Sequence, residues 1–247
     1  MKTLASVFGL AALVMPQPAA ALDPGSPKEF YEVSIAGIGI GEVALYLAEG
    51  GGRYSVDLDG GFRFLFWSGE ATMGSEGARA EALIPAAYTA RFESPSRTVF
   101  ADIVFGDGSA EAAFRAEPPF DDDGEEEERA PLMPEMLVGA MDPVAAFLIP
   151  AASGAEACSG ARKVFSGIVR FDIELSPRAE AAGPGLTPCV AAYRPIGGHR
   201  IGNEGVSLLE EKGLNLDLFE IAPGLWAPHR LEFPTRFGAL AFERRDG

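Results

Sequence analysis

The residue types that carry most catalysis and metal binding are scarce in this 247-residue chain. Its two histidines, His199 and His229, have no second histidine or cysteine at the spacing of metal ligands. Each stands beside an arginine or proline near a predicted strand boundary, where capping of a turn is the ordinary role. We therefore predict no catalytic residue, no metal site, no cofactor and no enzymatic activity.

Two glycine motifs come close to known sites but lack a required residue. The run from Gly74 to Gly77 has the wrong spacing for the nucleophile elbow of a hydrolase. The alternating glycines from Gly37 to Gly41 fail the dinucleotide fingerprint, because Glu42 stands where its third glycine belongs. Both motifs are typical of turns.

A run of acids from Asp121 to Glu128 raises the question of calcium. If Gly124 takes the sixth place of an EF-hand loop, Ala130 takes the last place, where an acid is required. Prolines lie on both sides of the run. We therefore predict a solvated acidic loop over residues 117–134, open to weak cation binding or to contact with a basic partner.

The chain has only two cysteines, Cys158 and Cys189, and they lack the Cys-x-x-Cys spacing of redox sites. If the protein is exported, only one intramolecular bridge is possible. Closing that loop would stabilise the fold by about 3 to 4 kcal/mol in the chain-entropy model. We predict a structural disulfide.

The first residues have the features of a secretory signal. Lys2 precedes an apolar run from Leu4 to Met15, and Ala19 and Ala21 are the small residues that a signal peptidase reads. We predict cleavage after Ala21 and a periplasmic location. No cysteine lies within or just after this segment to accept a lipid anchor, and no later apolar run is long enough to span a membrane. Residues 22–247 are predicted to form a single β-rich domain.

The chain carries a formal net charge of −16 at pH 7. Phosphate backbones and anionic head groups repel a protein this acidic. We therefore exclude nucleic acid and purely electrostatic membrane docking from the expected partners.

Short segments of alternating hydrophobicity recur along the chain. The clearest runs from Val169 to Leu175. Two earlier segments place Val43 with Leu45 on one face and Val56 with Leu58 on one face. Other strand-like runs lie at 79–83, 87–92, 98–105, 110–115, 190–193, 214–218, 226–233 and 237–243. One helix is predicted, capped by Asp142 and running to about Ile149. This pattern indicates an antiparallel sandwich, barrel or curled sheet.

Several of these residues, in order, resemble a bacterial family known as domain of unknown function 3108. The resemblance rests on Asp142-Pro143, on Phe165 to Phe171 between the cysteines, on Tyr193 to Arg200 after the second cysteine, and on a closing Trp226-Ala227-Pro228. It covers nearly all of the chain after the signal. Ser166 and Ile168 depart from the family pattern, which has an acidic and a basic residue there.

The resemblance implies an exported envelope protein, all-β with one short helix, whose strongly curved antiparallel sheet forms a half-barrel or β-spiral. Aromatic side chains could line its concave face as an apolar cleft, or fill a core instead. The predicted cleft residues are Phe64, Trp67, Phe105, Phe171 and Trp226. We expect a non-enzymatic periplasmic protein that binds a hydrophobic ligand or an envelope protein on that face. The alternative is an adaptor that contacts a basic partner through the acidic loop or a sheet edge.

Overall fold

The structure is a computed structural model that describes residues 25–26, 28–64, 67–106, 108–119, 128–180 and 182–245, without the side chains of Phe64 and Trp67. The predicted signal peptide and residues 120–127 of the predicted acidic loop lie outside the described residues. Among the described residues, no helix is long and apolar enough to cross a membrane.

Fourteen strands make up one sheet in the part of the chain that the structure describes. They are β1 (Glu29–Ile35), β2 (Ile38–Gly50), β3 (Arg53–Phe64), β4 (Trp67–Arg79), β5 (Leu83–Glu93), β6 (Thr98–Gly106), β7 (Ser109–Glu117), β8 (Ile149–Pro150), β9 (Gly160–Phe165), β10 (Arg170–Pro177), β11 (Thr187–Gly197), β12 (Leu214–Ala222), β13 (Leu225–Thr235) and β14 (Gly238–Arg244). Every pairing between strands is antiparallel.

The strand order is β7-β6-β5-β4-β3-β2-β1-β14-β13-β12-β11-β10-β9, with the short β8 paired to β13. The first and last strands of the chain, β1 and β14, therefore join two runs of hairpins at the middle of the sheet. The two ends of this order, β7 and β9, do not pair with each other, so the sheet is open. The predicted all-β, antiparallel fold is confirmed.

The curvature is visible where the turn between β9 and β10 meets the far half of the sheet. A β-carbon placed on Gly167 would lie 3.5 Å from the Cβ of Ala101 on β6. Phe165 of β9 is likewise buried in a cluster with residues of β3, β5 and β6. The sheet thus curls until one end packs against the inner face of the other.

The inner face carries two apolar clusters. The N-terminal cluster includes Tyr31, Leu45, Tyr54, Val56, Tyr88, Ile103, Val144, Leu148 and Leu225. The C-terminal cluster includes Ala146, Ile149, Cys158, Val164, Ile173, Leu175, Cys189, Leu214, Leu216 and Leu218. Both follow from strand alternation, which turns every second side chain inward.

The structure has three α-helices among the described residues: α1 (Pro143–Ala146), α2 (Gly154–Ala157) and α3 (Glu204–Lys212). A 3-10 turn spans Pro134–Leu137. The predicted helix does start after Asp142, but it ends at Ala146, because Ile149 pairs with Trp226 in β13. Helices α2 and α3 were not predicted.

Candidate functional site

The segment from Asp142 to Ile149 crosses the concave face of the sheet and separates the two clusters. Pro143 occupies the first helical turn of α1, where its missing N–H costs nothing. Val144 and Leu148 pack into the N-terminal cluster, whereas Ala146 and Ile149 pack into the C-terminal cluster. A single helical turn therefore covers the junction between the two halves of the interior.

A buried polar network fixes α1 to the sheet. The Asp142 carboxylate accepts hydrogen bonds from the backbone N–H groups of Val144 (2.9 Å) and Ala145 (2.8 Å) and from the Ser75 hydroxyl (2.7 Å). The hydroxyls of Ser75 on β4 and Tyr54 on β3 are 3.1 Å apart. Each side chain in this network is at most 3% exposed, so its hydrogen bonds are shielded from competing water.

Burial also shifts the pKa values of the ionisable side chains in and beside this network. Removal from water raises the pKa of Asp142 from 3.8 to about 6, although the hydrogen bonds that it accepts oppose that rise. Burial likewise raises the pKa of Tyr54 and of Tyr88, and the charge of Asp142 adds to both. The Asp142 carboxylate thus joins the first turn of α1 to Ser75 on β4, and Ser75 joins it to Tyr54 on β3.

An apolar cavity of about 230 Å³ lies beneath α1 on the concave face. Its walls come from β1, β2, β3, β4, β13, β14 and α1. The lining residues are Tyr31, Val43, Leu45, Val56, Leu58, Met73, Pro143, Val144, Phe147, Leu148, Pro228, Leu231, Phe233 and Phe242. Strand residues far apart in the chain meet here because β1 pairs with both β2 and β14.

The cavity offers almost no polar group to a ligand. The Tyr31 hydroxyl is the one polar side-chain group of the lining, and it already donates to the carbonyl oxygen of Pro228 at 2.8 Å. A water molecule needs two to four polar partners to stay in a cavity, and apolar cavities accept apolar guests instead. Several walls, such as Val43, Leu58 and Met73, are only half-buried, so the space is accessible from solvent.

Three of the five aromatic residues predicted to line the cleft, Phe105, Phe171 and Trp226, are not among the residues that line this cavity. Phe105 packs against the N-terminal cluster from β6, and the Phe171 ring stacks on Tyr193 with 4.9 Å between ring centroids. The Trp226 indole N–H donates to the carbonyl oxygen of Ala151 at 3.2 Å. Phe171 and Trp226 both pack against the C-terminal cluster, on the other side of the interior from Phe105. Phe64 and Trp67 pair at the ends of β3 and β4, and their side chains lie outside the described atoms.

Aliphatic side chains make up most of the cavity lining instead. The strand alternation had already placed Val43 and Leu45 on one face of their segment, and Val56 and Leu58 on one face of the next. Their pairing in β2 and β3 sets Leu45 opposite Leu58. The alternation was therefore a better guide to the site than the enrichment in aromatic residues.

The predicted disulfide between Cys158 and Cys189 is confirmed. It links the end of α2 to β11, with both cysteines fully buried in the C-terminal cluster. Its place is on the inner face of the sheet, beside Ile173 and Leu216 rather than beside the cavity. The bridge thus anchors the segment that covers this half of the interior.

The two histidines lie in separate environments. His199 is 7% exposed, its Nε2 is 3.2 Å from the Tyr193 hydroxyl, and burial lowers its pKa. The His229 ring meets the Phe219 ring edge to face, with 6.2 Å between centroids. Within the described ranges, no three His, Cys, Asp or Glu side chains are grouped as metal ligands.

Comparison with family models, curated proteins and solved structures finds no match to the chain.

Proposed function

We propose that this chain is a non-enzymatic periplasmic envelope protein that binds a hydrophobic ligand in the cavity beneath α1. The observation that carries the proposal is the lining of that cavity, in which the single side-chain hydroxyl is already hydrogen-bonded within the protein. Apolar surface is left accessible at Val43, Leu58 and Met73, and covering it with a ligand would be favourable by about 25 cal/mol per Å².

The periplasmic location is supported by the disulfide and by the sequence. A buried bridge between Cys158 and Cys189 needs an oxidising compartment to form. The signal-like residues 1–21 and the resemblance to domain of unknown function 3108 favour the same compartment.

The size of the cavity limits the ligand. A volume of 230 Å³ is below the roughly 300 to 1,000 Å³ of common small-molecule sites. It would hold about eight groups if each occupied the volume of a water molecule, about 30 Å³. The best fit is a short hydrocarbon ligand, or one end of a longer ligand whose remainder extends into solvent between the half-buried walls.

The test uses two matched variants and the environment-sensitive dye N-phenyl-1-naphthylamine. The phenyl ring of the dye fits the cavity, and its naphthyl group would extend past the half-buried walls. Val43→Phe places a phenyl ring in the cavity, whereas Val104→Phe makes the same change at an outward position that is 64% exposed. We expect the wild type and Val104→Phe to bind the dye with equal affinity and Val43→Phe to bind at least about tenfold more weakly. Equal binding by all three proteins, or no binding by the wild type, would overturn the proposal.

A second measurement identifies the natural ligand. Native mass spectrometry of the protein purified from periplasm should show a bound mass that dissociates on activation and that is absent from Val43→Phe. Lipid extraction of the same sample then gives the chemical class of that mass.

The alternative is an adaptor that contacts a basic partner through the acidic loop or a sheet edge. Residues 120–127 of that loop lie outside the described residues, so this alternative stays a prediction. Deletion of residues 120–129 should then abolish capture of the basic partner, and an unchanged set of captured proteins would remove the idea.

A further inference from the structure

The two ends of the sheet order differ in how their edges are covered. The edge of β9 is covered by the residue that precedes Asp142. The Met141 N–H donates to Lys163 O, and the Phe165 N–H donates to Met141 O, both at 2.8 Å. At β7, no strand among the described residues pairs on the side away from β6. Seven of the nine β7 residues are exposed. The strand contains no lysine or proline, and its charged residues, Glu111, Arg115 and Glu117, are of both signs.

The register of β6 and β7 fixes which backbone groups face the free edge. Gly106 pairs with Ser109 at the turn of this hairpin, and a two-residue turn closes on a hydrogen-bonded pair. Alternate residues of β7 then exchange hydrogen bonds with β6. The even-numbered residues from Ala110 to Ala116 direct their N–H and C=O groups outward. Ala110 is buried, and the nearby Gly108 O already accepts from the Gly139 N–H at 3.0 Å, so Ala112, Phe114 and Ala116 are the residues open to another strand.

The sequence of β7 is complementary to itself in the antiparallel direction. Ala113 is the middle residue of the strand, and Glu111 and Arg115 stand two residues on either side of it. If two copies of β7 pair about Ala113, Glu111 of each copy lies directly opposite Arg115 of the other. The same register sets Ala112 opposite Phe114, so that a small side chain meets a large one.

We propose that two copies of this protein associate through the β7 edges, antiparallel and centred on Ala113, to form one continuous sheet with two-fold symmetry. Even-numbered residues pair with even-numbered residues in this register, so the outward backbone groups of the two strands exchange hydrogen bonds. The outer face gains two Glu111–Arg115 pairs. The inner face covers Phe114, which is 41% exposed in the single chain.

Neighbouring registers are less favourable. Sliding the second copy by two residues in one direction sets Glu111 opposite Glu117, where like charges repel. Sliding it in the other direction sets Glu111 opposite Ala113 and removes both ion pairs. A slide of one residue would pair outward backbone groups with inward ones. The centred register therefore has the better charge and hydrogen-bond match.

Two effects keep the association modest. Each chain carries a formal charge of −16, and this long-range repulsion opposes assembly until salt screens it beyond about 8 Å at about 0.15 M ionic strength. An interface made by one strand per copy is also small, so we expect a dimer in the micromolar range.

Sedimentation equilibrium at physiological ionic strength, on wild type and three charge variants, tests this proposal. Glu111→Arg and Arg115→Glu each replace two opposite-charge contacts by two like-charge contacts, and each should weaken the dimer about tenfold or more. The double variant Glu111→Arg/Arg115→Glu exchanges the charges and keeps the net charge of the wild type. We expect it to restore dimer affinity to within about threefold of the wild type.

Arg115 also lies over the Phe100 ring, 4.0 Å from its centroid, and 3.9 Å from the Glu117 carboxylate, so its replacement changes the single chain as well. Glu111→Arg leaves both contacts in place, so its effect on the dimer reports the charge contact between the two copies. A monomeric wild type, a dimer that both single variants leave unchanged, or a double variant as weak as the singles would each overturn the proposal.

Discussion

The two apolar clusters on the inner face of the sheet are built in the same way but are filled to different extents. The buried members of the C-terminal cluster are at most 3% exposed, and Ile173, Leu216 and Leu218 are fully buried. The N-terminal cluster contains a cavity of about 230 Å³ whose walls include the half-buried Leu58 and Met73. Both clusters come from strands with alternating side chains.

The difference lies in what covers each cluster. The C-terminal cluster is covered by a continuous segment that runs from Ile149 through α2 to Cys158, which the disulfide links to β11. The N-terminal cluster is covered near the cavity by α1, a helix of four residues. Alternation thus decides which face of a strand is apolar, and the covering segment decides whether that face is filled or leaves space.

Removal of the disulfide should give the largest effect. The bridge closes a loop with a sequence separation of 31, so Cys158→Ala/Cys189→Ala should lower the free energy of unfolding by about 3 to 4 kcal/mol. Urea unfolding of both proteins measures this difference. Dye binding to the cavity should persist in the variant under conditions where it stays folded. A loss below about 1 kcal/mol would mean that the bridge does not stabilise the filled half.

The pH dependence of stability should report the buried carboxyl group beside the cavity. The pKa of Asp142 is raised by burial from its ordinary value of 3.8 to about 6 in the folded protein, so the folded state holds this proton more tightly. Its contribution is therefore greatest below about pH 4 and is lost as the pH rises through about 6. That loss is on the order of 2 to 3 kcal/mol.

Asp142→Asn should abolish this part of the pH dependence, because asparagine can cap α1 and meet Ser75 without ionising. Urea midpoints between pH 4 and pH 7 measure the effect. Asp102→Asn, at an exposed position on β6, is the matched control and should keep the slope of the wild type. Parallel curves for wild type and Asp142→Asn would contradict this account of α1.

The same valine-to-leucine substitution should lower the free energy of unfolding in the C-terminal cluster but not in the N-terminal cluster. Val164→Leu adds bulk to a fully buried position in the C-terminal cluster and should lower the free energy of unfolding by about 1 to 3 kcal/mol. Val43→Leu adds the same bulk beside the cavity and should be neutral or raise it by up to about 1 kcal/mol. Thermal unfolding of the two variants compares them. Equal losses would show that both clusters are packed alike.

Much of this architecture can be predicted from the sequence. Alternation predicts the apolar faces of β2 and β3, and residue types predict the Asp142 cap and the disulfide. Strand β4 does not, because Gly69, Gly74 and Gly77 interrupt any apolar period. Its glycines fit a strand in close contact with its neighbours, since a β-carbon on Gly77 would lie 2.1 Å from Ile84 O.

The site itself could be predicted only in part. Val43 and Leu231 are far apart in the sequence and come together through the pairing of β1 with β14, which no local pattern specifies. Of the aromatic residues singled out from the sequence, Phe171 stacks on Tyr193 and the Trp226 indole donates to Ala151 O. Composition identifies large apolar side chains, but the order of the strands decides which of them meet.

The most direct test of ligand binding in the cavity is an NMR measurement of nuclear Overhauser effects between bound N-phenyl-1-naphthylamine and the methyl groups of the protein. We predict contacts from the dye to the methyl groups of Val43, Leu58 and Val144, which line the cavity. Contacts only to outward methyl groups such as those of Val104, with none to these three residues, would contradict the account.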